Sequence, residues 1–268
     1  MKVYMSVDME GVCGIVLRDQ LIDTGRQYEE ARHLLTMEVN AAVEGALAGG
    51  AEEIVVMDAH GGGWFGVNFL MEELHPAAKY YVGYPPINLR FPFLDDSFDL
   101  MFFIGSHAKA GTPEAVRDHS FTSTNTERIM VNGIEMGEIG VDALITGHFN
   151  VPVALVTGDD KACKEAKMLL GGIETAVVKF ASARHGALNY APSKAREIIR
   201  KAACDAVKRA GDFKPFKLEP PYTMEIDYLS TDVVDNIFVN GVDRIKAGPK
   251  KVIYKTDTVL ELFGKPAF

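Results

Sequence analysis

The chain has 268 residues, 47% of them apolar and 24% charged, enough for one large core or two unequal ones and too apolar for a disordered segment. Its formal net charge of −9 argues against nucleic acid or an anionic membrane surface as a partner, because both call for basic patches. No apolar run approaches the ~20 residues of a membrane span, and Cys13, Cys163 and Cys204 lie far apart, which predicts a reducing, cytoplasmic setting without a thiolate zinc site.

Residues 1–11 alternate Val3, Met5 and Val7 with Lys2, Tyr4 and Ser6 and stop at Gly11, the pattern of a buried strand that opens a parallel sheet. Asp8 and Glu10 follow at its carboxyl end. On extended backbone, side chains two apart point the same way, about 7 Å along the strand, so both carboxylates face one spot. Like charges aimed together repel unless a proton or a cation intervenes. The carboxyl edge of an open α/β sheet is where ligands bind. A metal ion is one reading of the pair; a turn-capping Asp8 beside a solvated Glu10 is the other.

Residues 12–25 lack a period and read as a loop over this spot. Residues 28–48 carry Ala31, Leu34, Leu35, Val39, Ala42, Val43 and Leu47 at helical spacing, closed by Gly49 and Gly50, which predicts a crossover helix. Residues 53–60 form the second strand, ending in His60 and a glycine run at 61–63. A right-handed crossover sets the two carboxyl ends side by side, so His60 arrives next to Asp8 and Glu10. Asp58, on the same face, either orients the imidazole or caps the strand. The glycines lack the Lys-Ser/Thr of a Walker loop and read as open backbone for a substrate.

A short helix is expected over 67–74, a brief strand over 80–84 and a proline-interrupted loop over 85–96. Residues 99–107 are a third buried strand, again ending in a histidine, His107, with Lys109 on the same rim. The polar stretch 112–127, which holds Asp118 and His119, reads as an active-site loop. Residues 128–136 predict a hairpin turning at Asn132-Gly133. Residues 137–147 predict a helix whose first turn contains Glu138, a place where an acid also serves the helix dipole.

Residues 151–157 are a fourth buried strand, and Asp159 reads as the N-cap of a helix running to Leu170. A strand over 174–180 and an amphipathic helix over 193–210 flank Arg184, a candidate for reaching substrate. A proline-rich linker at 215–221 then divides the chain. Residues 1–214 are expected to form an α/β metal-binding catalytic domain, with a central, mostly parallel sheet flanked by helices. Residues 215–268 are expected to form a smaller C-terminal α+β region: a strand at 223–228, a stretch at 233–239, a strand at 251–255 and a helix from Thr258.

Asp8, Glu10, His60, His107 and Glu138 together supply three carboxylates and two imidazoles. One zinc ion takes three or four protein ligands. Five, three of them anionic, suit two divalent ions sharing a carboxylate, and the nitrogen and oxygen donors admit zinc, manganese or cobalt. A structural calcium site would prefer oxygen throughout.

The blocks Ser6 to Gly11, Asp58-Ala59-His60, Gly105 to Pro113, Asp118-His119-Ser120, Asn132 to Gly140 and Gly158-Asp159-Asp160 occur in order and resemble the signatures of the zinc-dependent D-aminopeptidases of bacterial dipeptide-transport operons. The resemblance implies two zinc ions bridged by Asp8, with Glu10 and His107 completing one shell and His60 and Glu138 the other. His119 matches the family's catalytic histidine. The implied substrate is a short peptide with a D-residue such as D-Ala first, and the implied assembly is a homo-oligomer, a decamer built partly by the C-terminal region. Glu10, Asp118 or Asp159 could anchor the substrate ammonium, and Lys109 and Arg184 are further substrate candidates. A dinuclear amidase of other specificity and a non-enzymatic cation-binding protein are the rival readings.

Overall fold

The computed structural model describes residues 1–61, 67–86 and 89–264. Its elements in chain order are β1 (Lys2–Val7), α1 (Tyr28–Gly49), β2 (Glu53–Asp58), β3 (Lys79–Tyr81), β4 (Leu100–Ser106), β5 (Thr126–Val131), β6 (Ile134–Glu135) and α2 (Glu138–His148). There follow β7 (Val153–Asp159), α3 (Asp160–Leu170), β8 (Glu174–Ala183), β9 (Gly186–Asn189), α4 (Pro192–Lys208), β10 (Tyr222–Tyr228), α5 (Thr231–Asp235), β11 (Arg244–Gly248), β12 (Lys251–Thr256) and α6 (Glu261–Gly264).

The main sheet runs β3-β2-β1-β4-β7-β8-β9, parallel throughout except for the last pair. Its central strands are near-continuous apolar runs because both of their faces are covered: Val3, Met5, Val7, Phe102, Ile104, Leu155 and Val156 are all buried. Helix α1 packs along α4 and also reaches β4. In this order β1 lies between β2 and β4, so the carboxyl ends that carry Asp8, His60 and His107 are neighbours.

A second sheet, β11-β12-β10-β5-β6, is antiparallel. It joins the C-terminal strands to the 126–135 hairpin, so residues 215–268 are not a self-contained appendage: β10 pairs along β5, with Ile226 opposite Ile129. The hairpin turns at Asn132 and Gly133, both with positive φ, 48° and 79°, as an Asn-Gly turn requires.

Other expectations shift. The helix over 67–74 is a single tight turn at Met71–Glu73. Its backbone bonds elsewhere instead: the Asn68 amide donates to Asp58 Oδ2 at 2.6 Å, and the Leu70 amide to Thr36 Oγ1 at 3.0 Å. Arg184 follows β8 directly and precedes β9, a pair that sequence pattern did not reveal, and the stretch 233–239 contains the end of a short helix. Gly62 and Gly63 of the glycine run lie outside the described residues. Among the described residues no helix is long and apolar enough to cross a membrane.

Candidate metal centre

Close packing of two strand ends builds the site. The Asp8 amide donates to Ile104 O at 2.8 Å and the Gly11 amide to Gly105 O at 2.7 Å, which locks the chain after β1 against the end of β4. A Cβ at Gly11 would lie 2.1 Å from Ser106 O, and one at Gly105 2.1 Å from Asp8 O, so only glycine permits this approach. Gly105 also adopts φ 71°, open to glycine at little cost. The buried ammonium of Lys179 donates to the carbonyls of Glu10, Val12 and Ile15 and pins the loop that carries Glu10.

The five candidate ligands converge. Asp8 Oδ1 lies 2.9 Å from His60 Nδ1, and Asp8 Oδ2 lies 3.4 Å from His107 Nε2. Glu10 Oε2 is 3.2 Å from His60 Nδ1, and Glu138 Oε1 is 3.2 Å from His107 Nε2. Each oxygen of Asp8 thus faces a different imidazole. Two donor groups result, Asp8 with Glu10 and His60, and His107 with Glu138 and His119. In these side-chain contacts Glu10 stands next to His60, and Glu138 next to His107. Glu10 and His60 sit on adjacent strand ends, whereas Glu138 reaches His107 from the first turn of α2.

The backbone sets the orientation of both rings. His60 Nε2 donates to Leu21 O at 2.9 Å and His107 Nδ1 to Ala108 O at 2.9 Å. Each ring therefore turns its other nitrogen, a lone pair in the neutral form, toward the acids, as metal-bound histidines do. His107 Nε2 and Glu10 Oε2 are buried and have no hydrogen-bond partner among the described residues. Groups of this kind buried without a partner are expensive, and a cation between them satisfies both.

The charge balance points the same way. Burial, then Glu10, pushes the Asp8 carboxyl well up. Burial lowers His60 and His107, but the surrounding carboxylates outweigh it and raise both rings well above the usual imidazole range. Burial likewise acts to raise Glu10 and Glu138, but the imidazoles, His60 for the first and His107 for the second, hold both carboxyls low. Three carboxylates crowd the two rings, and protons on the rings take the place that a divalent ion would fill.

His119 stacks on His107 with ring centroids 3.9 Å apart and an interplanar angle of 11°. Its Nδ1 donates to Arg117 O at 2.8 Å, so Nε2 is free and lies 3.7 Å from Glu138 Oε1. Burial, then the charge of His107, pushes its pKa below the usual value, which keeps the ring neutral at neutral pH. Above these groups opens a cavity of about 680 Å³, lined by Asp8, Glu10, His60, His119 and Glu138 among others.

The weaker substrate candidates lie elsewhere. Asp159 is fully buried and is an N-cap: its side chain accepts the amides of Lys161 and Ala162, and that of Val116 at 3.0 Å. Asp118 pairs with Arg184 and accepts the Gly111 amide at 2.9 Å. Lys109 pairs with Glu135 beside a different cavity. None of the four lines the cavity over the metal centre, because each is already committed to a neighbour. Asp58 does not touch the imidazole of His60; it binds Asn68 and caps the strand end through the His60 amide at 3.4 Å.

Sequence reasoning missed Arg90 and Arg117, both on the cavity wall. Arg90 makes a bidentate pair with Asp142 at 2.9 and 2.8 Å. The one available signal was Asp142 itself, four residues after Glu138 and hence on the same face of a predicted helix. Arg117 lies in an irregular loop and gave no signal.

The sequence profile of the D-aminopeptidase family matches residues 1–265. A D-aminopeptidase from Bacillus subtilis is 32% identical over 264 residues, which span 98% of this chain and 94% of that protein. The solved structure of the Zn-dependent D-aminopeptidase DppA from Bacillus subtilis, described as a self-compartmentalizing protease, superposes with a TM-score of 0.91 at 30% identity, covering 98% of this chain and 94% of that one. With the α/β fold, the profile match and the full-length relative in agreement, the chain belongs to the D-aminopeptidase family and is a hydrolase of the aminopeptidase type.

Proposed function

We propose that this protein removes the N-terminal residue, a D-amino acid such as D-Ala, from short peptides, using two divalent ions, zinc in the first instance. Asp8, Glu10, His60, His107 and Glu138 would hold them, with Asp8 shared between the two and, as the family resemblance implies, Glu10 and His107 on one ion and His60 and Glu138 on the other. The observation that carries this reading is Asp8, whose two oxygens face two different imidazoles at 2.9 and 3.4 Å while His107 Nε2 and Glu10 Oε2 are buried without a hydrogen-bond partner among the described residues. The zinc dependence of the Bacillus relative supports the choice of metal.

When bound, the ions would lower the pKa of a coordinated water toward about 7 and polarise the peptide carbonyl. The chain's own part follows from its hydrogen bonds. Arg117 O fixes the tautomer of His119, leaving Nε2 as the basic atom in the cavity. A neutral ring there can take a proton during attack and return it to the departing amine. Glu138 is steadied by the Phe121 amide, which donates to its Oε1 at 2.7 Å. A cavity of about 680 Å³ is the size that suits a short peptide.

We further propose self-association, as a decamer on the family resemblance, in the cytoplasm, with residues 1–214 carrying the chemistry and the C-terminal region contributing contacts. Exposed Phe238 and Val242 in that region, at 72% and 75%, support a covered surface. Light scattering on the purified protein tests this; a monomer would overturn it. For the activity, the test is hydrolysis of D-alanyl and L-alanyl dipeptides by the zinc-loaded protein. Faster cleavage of the D form is expected; turnover of simple amides or esters with neither dipeptide cleaved would overturn the peptidase reading.

A further inference from the structure

The cavity over the metal centre is lined by three arginines, Arg18, Arg90 and Arg117. Arg90 is neutralised by its bidentate pair with Asp142. Arg117 is not. It is 8% exposed, its Nε is buried without a hydrogen-bond partner among the described residues, and its Nη1 lies 3.3 Å from Nε2 of His185. No ion pair among the described residues includes it, since the adjacent Asp118 is taken by Arg184. A guanidinium buried without a carboxylate is unusual, because burial strips its hydration and nothing replaces it.

The surroundings sharpen the point. Burial first of all holds the Arg117 guanidinium below its usual range; Glu10 and Asp118 oppose that, while Arg184 and Arg18 add to it. Arg117 shares the lining of the cavity with the exposed Arg18, near enough for the two charges to repel. Arg117 is tied in place by its backbone: its amide donates to Arg184 O at 2.9 Å, and its carbonyl takes the Nδ1 proton of His119 at 2.8 Å. The unmatched positive charge is therefore fixed two residues from the candidate catalytic histidine.

An anion of the right size accompanies the substrate class. An aminopeptidase cutting a dipeptide brings the free carboxylate of the second residue into the site, one Cα–Cα step of about 3.8 Å beyond the residue released. Guanidinium matches carboxylate with two parallel hydrogen bonds, which a lysine cannot copy.

We infer that Arg117, with Arg18 beside it, is the receptor for the free C-terminal carboxylate of the substrate, so that the site selects very short peptides over the ends of long chains. The inference rests on the peptidase reading and adds its specificity element. A peptide whose carboxylate is blocked leaves Arg117 unpaired, and a site built for a charged hydrogen bond discriminates strongly against a ligand that lacks it.

The test compares kcat/KM for D-alanyl-D-alanine and for its C-terminal amide in the zinc-loaded wild type and in Arg117→Gln, Arg117→Lys and Arg18→Gln, with zinc content and a melting curve recorded for each. The wild type is expected to favour the free acid by about 10- to 100-fold, mostly through KM. Arg117→Gln should bring that ratio to within about threefold, with Arg117→Lys and Arg18→Gln in between. A wild type that cleaves both peptides equally well overturns the inference. So does an Arg117→Gln enzyme that loses the same factor on both, which would assign Arg117 to the reacting oxygen instead. Should Arg117→Gln not fold, the ratio in Arg117→Lys and Arg18→Gln decides: an unchanged ratio in both overturns the inference. Turnover of neither peptide by the wild type is a failure of the peptidase reading itself, seen before any variant is made.

Discussion

The molecule carries two cavities of nearly equal size with opposite character. One, of about 680 Å³, lies over Asp8, Glu10, His60, His119 and Glu138. The other, of about 650 Å³, lies between the 109–113 loop, the end of the 126–135 hairpin and α3, and is lined by Met136, Met168 and Leu169 with Lys109, Lys161 and Lys164 at its edge. Volume does not separate them. What does is the chemistry of the groups that meet there: in the second, lysines pair with single carboxylates, Lys109 with Glu135 and Lys161 with Asp160, and Glu165 Oε1 alone of its carboxylate oxygens is buried without a hydrogen-bond partner among the described residues. In the first, two groups of carboxylates and imidazoles converge beneath the cavity, Asp8 with Glu10 and His60, and His107 with Glu138 and His119. A metal site is marked by convergent nitrogen and oxygen donors, not by volume.

The largest effect should come from taking the metals out of the first cavity. Dialysis against a chelator is expected to reduce peptidase activity to background, and zinc to restore it; activity that survives complete removal of metal would erase the distinction between the cavities. His119→Ala comes next, with a loss of about 10²- to 10⁴-fold in kcat. Metal analysis of that variant should still find the zinc content of the wild type. If metal is lost with activity, His119 is a ligand, an arrangement its place beside His107 and Glu138 would also permit.

Asp142→Ala probes the wall of the same cavity. It leaves Arg90 buried opposite nothing, and breaking such a pair costs about 3–5 kcal/mol, to be read from urea unfolding of the metal-free protein. Substitution at the rim of the second cavity, Lys109→Ala, should change kcat/KM by less than about threefold, since exposed pairs are worth about 0–1 kcal/mol.

Beneath the loop that carries Glu10, Glu38 accepts the Cys13 amide at 2.9 Å, and burial raises its pKa to about 7. Because the folded state holds this proton more tightly than the unfolded one, the stability it contributes is full below about 4.5 and is lost as the pH rises through about 7. A rise of this size corresponds to at most about 3 kcal/mol. Glu38→Gln should flatten the fall in melting temperature between pH 5 and 8; an unchanged slope would count against the assignment.

The legible part of the fold is the part governed by apolar runs. β1, α1, β2, β4 and β7 could be drawn from periodicity, and their parallel order placed Asp8, Glu10, His60 and His107 together. Of the four candidate ligands that end strands, His60 and His107 follow near-continuous apolar runs and Asp8 and Glu10 an alternating one, which is why they stood out. Glu138 needed the family pattern, because an acid in the first turn of a helix has an ordinary explanation. Elements set by tertiary bonds were invisible. The 67–74 segment gives its amides to Asp58 and Thr36 rather than to a helix. β10 reaches across the chain to β5, a pairing no local signal announces. Charged residues in loops misled for a related reason: Asp118, Arg184 and Lys109 looked available but are spent on one another or on Glu135, whereas Arg117, in the same loop, is the one left unmatched.

The central proposal is that Asp8, Glu10, His60, His107 and Glu138 together hold two divalent ions with Asp8 shared between them. Crystals grown with zinc and measured on both sides of its absorption edge test this directly. Two strong anomalous peaks, one on each side of the Asp8 carboxylate, are the predicted result. A single peak remote from Asp8, or none among these five residues, would contradict it.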